Sequence, residues 1–209
     1  DLTSRTLNLS PSTIWSGTGA IRTGSAAVIN NPGTWEAQND VSISNAFGGA
    51  ASTINNTGTF RKMPGTGTTT ISIIFNNNGV VDLQSGKLLL SGGGTGTGNF
   101  AGLAGTTLEF SAGTFAMNGT TAITVPNVIF SGATSTLATT TSMSVATAVF
   151  SGGATTVNGT YAASTSTAKT GSGTATFTSS STVSGIGPAT FVVSGGTITF
   201  NSGELIAPT

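Results

Sequence analysis

The sequence predicts an all-β parallel β-helix, or β-solenoid, of about nine coils of 20–25 residues. Three observations support this fold: aromatic residues return at a step of twenty, paired asparagines return at steps of 25 and 21, and short alternating segments lie between Gly, Asn and Ser turns. A solenoid coil of this length holds two or three short strands, each stacked on its equivalent one coil away. Residues that recur at the coil length should therefore lie directly over one another.

The recurring aromatic residues predict a ladder of rings in the core. Phe110, Phe130 and Phe150 are twenty residues apart and each precedes a turn of serine and small residues. Trp15 and Trp35 have the same separation, and GTW and GTF triplets recur along the chain. The predicted aromatic ladder comprises Trp15, Trp35, Phe60, Phe110, Phe130 and Phe150.

Asparagine recurs in pairs or triplets at residues 30–31, 55–56 and 76–78. Stacked asparagine side chains can hydrogen-bond to one another along a β-stack. We therefore predict a second ladder, at a turn of each coil, formed by Asn31, Asn56 and Asn77.

The segments between these positions alternate as strands do, and no sustained helical periodicity occurs. Alternation through VVDLQSGKLLLS predicts one side with Val81, Leu83, Lys87 and Leu89 and another with Val80, Leu88 and Leu90. The glycine-rich run SGGGTGTGNF (91–100) is expected to form a flexible corner or a protruding loop. An antiparallel β-sandwich is the alternative fold, but it does not explain the same residue types at a fixed step.

Composition excludes several classes of function. Six basic and six acidic residues give zero net charge, so we expect no nucleic-acid partner. Cysteine and histidine are absent, which argues against disulfides, imidazole catalysis, transition-metal sites and cofactors held by such ligands. The longest apolar runs, ISIIF and LLL, fall far short of the ~20 residues of a membrane-spanning helix.

A carbohydrate-active β-helix enzyme would need clustered carboxylates. The six acids are Asp1, Glu36, Asp40, Asp82, Glu109 and Glu204. Only Glu36 and Asp40 are close in sequence, and solvated charges at a strand edge explain that pair. We therefore predict no catalytic, cofactor or metal site, and a protein that is not an enzyme.

A neutral-polysaccharide-binding module is the main functional alternative. Its candidate aromatics are Trp15, Trp35 and Tyr161, although the shared repeat register of the two tryptophans favours a core position. The adjacent pair Arg61 and Lys62 fits a solvated turn or a contact with an anionic sugar.

No charged residue occurs from Phe110 through Ala168. Neutral rods lack long-range repulsion, so this stretch favours a structural or adhesive role with self-association, side by side or head to tail. Ice binding through T-x-T rows is a further alternative, but the matches TTTISI, ATTTSMS, STSTA and TITF fall at irregular steps. The sequence therefore predicts no single aligned row.

The segment NNNGVVDLQSGKLLLSGGGTGTGNF (76–100) resembles repeats of bacterial autotransporter passenger domains and filamentous haemagglutinin-like adhesins. NNTGTFRK and NNPGTWEA look like variants of the same unit. The resemblance implies an exported, right-handed β-helix at the cell surface, used in adhesion, fibres, filaments or biofilm matrix, with no catalytic residues to carry over. Residues 1–209 are interpreted as one solenoid domain, or as a segment of a longer surface protein whose open ends could join protomers.

Overall fold

Short strands alternate with turns throughout the part of the chain that the structure describes. The computed structural model describes residues 1–186 and 190–201, none of which is helical. In chain order its strands are β1 (Leu2–Thr3), β2 (Thr6–Asn8), β3 (Ser12–Trp15), β4 (Ile21–Gly24), β5 (Val28–Asn31), β6 (Thr34–Ala37), β7 (Ser42–Ser44), β8 (Thr53–Asn56), β9 (Thr59–Lys62), β10 (Thr68–Ile71), β11 (Ile74–Asn77), β12 (Val80–Leu83), β13 (Lys87–Leu90), β14 (Gly94–Gly96), β15 (Asn99–Gly102), β16 (Thr107–Phe110), β17 (Thr114–Met117), β18 (Ala122–Thr124), β19 (Asn127–Phe130), β20 (Thr134–Leu137), β21 (Ser142–Phe150), β22 (Ala154–Val157), β23 (Thr160–Lys169), β24 (Thr174–Phe177), β25 (Thr182–Ile186), β26 (Thr190–Val193) and β27 (Thr197–Phe200).

These strands build a coil with three faces, and every strand pairing in the described residues is parallel. Face I contains β1, β4, β7, β10, β13, β16, β19, the second halves of β21 and β23, and β26. Face II contains β2, β5, β8, β11, β14, β17, β20, β22, β24 and β27. Face III contains β3, β6, β9, β12, β15, β18, the first halves of β21 and β23, and β25.

The chain thus completes about nine coils, and the predicted all-β parallel β-solenoid is confirmed. Most coils have the predicted length, but the step falls to 18 residues between Ser142 and Thr160 and rises to 28 between Ile43 and Ile71. The long step includes the loop at 45–52, and the short one occurs where β21 and β23 run through a corner without a turn. No helix in the described residues has the length and apolar character needed to cross a membrane.

Alternation places one side of each strand in a continuous core. Most inward residues on all three faces are apolar and fully buried, and some inward positions carry buried polar or charged residues. Burial of these apolar groups stabilises the coil stack, at about 25 cal/mol per Å² of apolar surface removed from water.

The turn between faces II and III explains the recurring N-x-G triplets. A Cβ on Gly58 would overlap the carbonyl oxygen of Gly33, and a Cβ on Gly79 would overlap that of Gly58. Successive turns therefore approach so closely that only glycine fits. Two residues earlier, each triplet places its asparagine on the inside of the same corner.

The glycine-rich run at 91–100 forms part of the wall, and the expectation of a protruding loop is wrong. It contains β14, which stacks on β11, and a Cβ on Gly94 or Gly96 would overlap the backbone carbonyl of Phe75 or Asn77. The glycines here permit close backbone approach, so their high number does not signal flexibility.

The predicted sides of β12 and β13 also need correction. Val81 and Leu83 are buried together with Leu88 and Leu90, so Val81 does not share a side with Lys87. Alternation restarts after the corner at 84–86, because a corner need not preserve the two-residue period of a strand.

Candidate functional site

The three phenylalanines at the twenty-residue step lie in register on face I. Phe110 pairs with Phe130 and Phe130 with Phe150. The ring centroids are 5.3 Å apart in both pairs, with interplanar angles of 14° and 3°. All three side chains are essentially inaccessible to solvent, so this ladder serves packing.

The tryptophans and Phe60 form a different stack, on face III. Trp35 is paired with Phe60, and the two rings meet edge to face at 5.2 Å. Trp15 pairs with Ala37, so the expectation that Trp15 and Trp35 share a register is wrong. The two ring centroids are nevertheless 6.1 Å apart. Trp15 lies two positions beyond the residue that pairs with Trp35, and an offset of two keeps both side chains on the same side of the sheet.

The three predicted asparagines lie one above another in the core. Asn31 Nδ2 donates to Asn56 Oδ1 at 2.7 Å, and Asn56 Nδ2 donates to Asn77 Oδ1 at 2.8 Å. Each amide also donates to a backbone carbonyl in the next coil, on Thr59, Val80 and Asn99 respectively. The three side chains are at most 3% exposed. This inner ladder of Asn31, Asn56 and Asn77 therefore provides hydrogen-bond partners at a buried corner for every amide group except Asn31 Oδ1.

A second asparagine ladder runs along the outside of face II. It comprises Asn8, Asn30, Asn55 and Asn76, joined by amide hydrogen bonds of 2.8 to 3.1 Å. Thr95 continues this outer ladder by donating its backbone N–H to Asn76 Oδ1. The doubled asparagines in the sequence indicate this outer ladder, because adjacent residues of a strand point to opposite sides.

Each acidic side chain in the described residues lies within ion-pair distance of a basic one. The pairs are Asp1–Arg22, Glu36–Arg61, Asp82–Arg61, Asp40–Lys62 and Glu109–Lys87. Glu204 lies outside the described residues. Residues 1–186 and 190–201 contain no group of three His, Cys, Asp or Glu side chains that could hold a metal ion.

Two of these carboxylates have lowered pKa values. The hydrogen bond from Lys62 lowers the pKa of Asp40. Burial would raise the pKa of Glu109, but hydrogen bonds from Lys87 and Ser131 outweigh it, so that this pKa is also lowered. A general acid at neutral pH needs the opposite shift. The lowered pKa values therefore argue against a general-acid role for Asp40 and Glu109.

The aromatic residues considered for sugar binding are enclosed by the coil. Trp35 and Tyr161 are buried, and Trp15 is 8% exposed with its indole N–H donated to the carbonyl of Gly19. Burial raises the pKa of Tyr161, whose hydroxyl lies 2.6 Å from Thr167 Oγ1. None of the three rings offers a face to a polysaccharide.

A shallow groove follows the corner between faces III and I in the C-terminal half. Its volume is about 550 Å³, and its lining includes Pro126, Ser144, Ala163, Ser184 and Gly185. The lining contains small neutral side chains and no aromatic ring. Sugar recognition here would depend on hydroxyl and backbone groups without the usual stacking surface.

Lys169 occupies the position that follows the phenylalanine ladder. It pairs with Phe150, is fully buried, and donates to the carbonyls of Thr170, Gly171 and Gly195. Burial lowers its pKa below the ordinary value of 10.5. The sequence marked Lys169 only as the end of an uncharged stretch.

This buried lysine predicts a pH-dependent stability. The unfolded chain binds the Lys169 proton more tightly than the folded chain, so the free energy of unfolding should rise with pH from the folded pKa up to about 10.5. Urea denaturation between pH 7 and pH 10 should show this rise in the wild type and a smaller one in Lys169→Met. Equal pH slopes in both proteins would contradict the prediction.

Face II carries two aligned rows of outward threonines that sequence inspection missed. The first row is Thr114, Thr134, Ala154, Thr174 and Thr197, and the second is Ala116, Thr136, Thr156, Thr176 and Thr199. The expectation that no aligned row exists is wrong, because these residues recur at the coil length. The T-x-T matches chosen from the sequence start at different points of the coil, and only 197–199 belongs to the array.

No protein-family model, curated protein or solved structure matches this chain. The structure itself shows a parallel β-solenoid.

Proposed function

We propose that this chain is a non-enzymatic structural or adhesive β-solenoid of the bacterial cell surface, in the manner of autotransporter passenger and haemagglutinin-like repeats. The observation that supports this role best is the uninterrupted stack of ten strands on face I. At about 4.8 Å per strand, this stack is roughly 43 Å long. Its core ladders make each coil depend on its neighbours, as in other solenoids.

The uncharged stretch from Phe110 to Ala168 supports self-association of such rods. Outward positions from Phe110 to Ala168 are neutral, so neighbouring rods meet no charge repulsion there. Contacts of this kind depend little on ionic strength, because salt screens charged groups only. An extracellular fibre or biofilm matrix would use these lateral contacts to assemble at any salt concentration.

Association of the purified chain should therefore increase with protein concentration and persist at high salt. The measurement is sedimentation and electron microscopy at about 0.01 M salt, where electrostatic interactions are strong, and at about 1 M salt, where they are screened. We expect bundles or filaments in both. Isolated rods at the highest soluble concentration would contradict a self-associating structural role.

A further inference from the structure

The threonine array on face II is a two-dimensional lattice. It is defined by the outward positions of β17, β20, β22, β24 and β27, of which eight in ten are threonine. Adjacent strands are about 4.8 Å apart, and alternate residues along one strand are about 6.6 Å apart. Because all five strands pair in register, the hydroxyl and methyl groups repeat at these two spacings across the face.

The hydroxyls of this lattice are available to a ligand. The eight threonines are exposed or half-exposed, and within the described residues none of their hydroxyls hydrogen-bonds to protein. Threonines beside the array differ: Thr95 accepts from Asn118, and Thr178 donates to Asn158. Each free hydroxyl can offer one donor and two acceptor positions to water.

The array is also rigid and uncharged. Four of its five strands pair on both sides within face II, and the inner side rests on buried residues such as Phe115, Leu137 and Phe177. Packing of these buried side chains holds the strands in place, so the outward groups keep their spacing. Binding therefore does not cost the entropy of ordering a mobile backbone. No outward position of the array carries a charge that would hold a disordered hydration shell.

We propose that the threonine array binds ice, through ordered water that matches its two spacings. A periodic surface suits a periodic partner, whereas a soluble sugar is bound in a concave site with convergent polar groups. A crystalline polysaccharide would call for exposed rings, and the array presents none. Water bridging hydroxyls at regular intervals forms hydrogen bonds nearly as favourable as direct ones. This inference goes beyond the proposed structural role, which rests on the core stack and on all uncharged outward positions from Phe110 to Ala168, only some of which lie on face II.

The test is thermal hysteresis and inhibition of ice recrystallisation by the whole chain. Thr156→Tyr places a ring in the centre of the second row, between Thr136 and Thr176. Thr160→Tyr is the matched control, because Thr160 is an exposed, outward residue of β23 on face III. Tyrosine favours strands, so both variants should keep the wild-type circular dichroism spectrum.

We expect activity in the wild type and in Thr160→Tyr, and loss of most of it in Thr156→Tyr. Absence of thermal hysteresis and of recrystallisation inhibition in the wild type at high concentration would overturn the proposal. Equal activity in the two variants would also overturn it, because the array would then not be the binding surface. Sedimentation completes the set: dimers that Thr156→Tyr disrupts, without ice affinity, would assign face II to a second copy instead.

Discussion

Replacing Phe130 by alanine is expected to lower the free energy of unfolding by about 3–5 kcal/mol. Phe130 is fully buried and lies between two parallel rings, with centroids 5.3 Å away on either side. Alanine would leave a cavity that Phe110 and Phe150 cannot fill, because both are held by their own strands. Loss of ring contacts and incomplete collapse of the cavity together produce the large effect.

Phe47→Ala is the matched control for this prediction. Phe47 lies in the loop at 45–52, is 46% exposed, and contacts Arg22 at 5.2 Å from its ring centroid. Such an exposed cation–π contact contributes only about 0.5–1 kcal/mol. Urea denaturation followed by circular dichroism compares the two variants. A loss for Phe130→Ala no greater than that for Phe47→Ala would show that the stacked ladder does not stabilise the solenoid.

The phenylalanine ladder could be predicted because the coils from Phe110 to Phe150 keep one length, so sequence distance equals spatial register. The tryptophans show where this reasoning fails. The coil from Ser12 to Thr34 has a step of 22 residues. Trp15 and Trp35 are only twenty residues apart, so they are two residues out of register. Extra residues at a corner lengthen the coil without changing the alternating pattern of the strands. The sequence alone therefore does not reveal where the register shifts.

The threonine array was missed for a different reason. Threonine occurs on both sides of the same strand, since Thr155 is buried while Thr156 points outward. Small β-branched polar residues fit either side of a strand, so their identity does not reveal orientation. Only the pairing register separates the two sides. The step of twenty at Thr136, Thr156 and Thr176, which the phenylalanines share, was the available signal.

Asn56→Ala is expected to lower the free energy of unfolding by about 2–4 kcal/mol, from the cost of leaving buried polar groups unpaired. Asn56 is fully buried and joins both halves of the inner ladder. Its removal leaves Asn77 Oδ1 without the amide donor and frees the carbonyl of Val80, whereas Asn31 keeps its bond to Thr59. Water cannot easily compensate at a corner where successive turns touch.

The neighbouring residue offers a control of identical chemistry, because Asn55→Ala removes the equivalent member of the outer ladder. Asn55 also bonds to one asparagine above and one below, but it is partly exposed, so water can replace its partners. We expect that variant to lose less than about 1 kcal/mol in the same urea denaturation. Equal losses at the two positions would mean that ladder hydrogen bonding, and not burial, sets the stability of this corner. A smaller loss for Asn56→Ala than for Asn55→Ala would contradict the assignment of the inner ladder as the stabilising one.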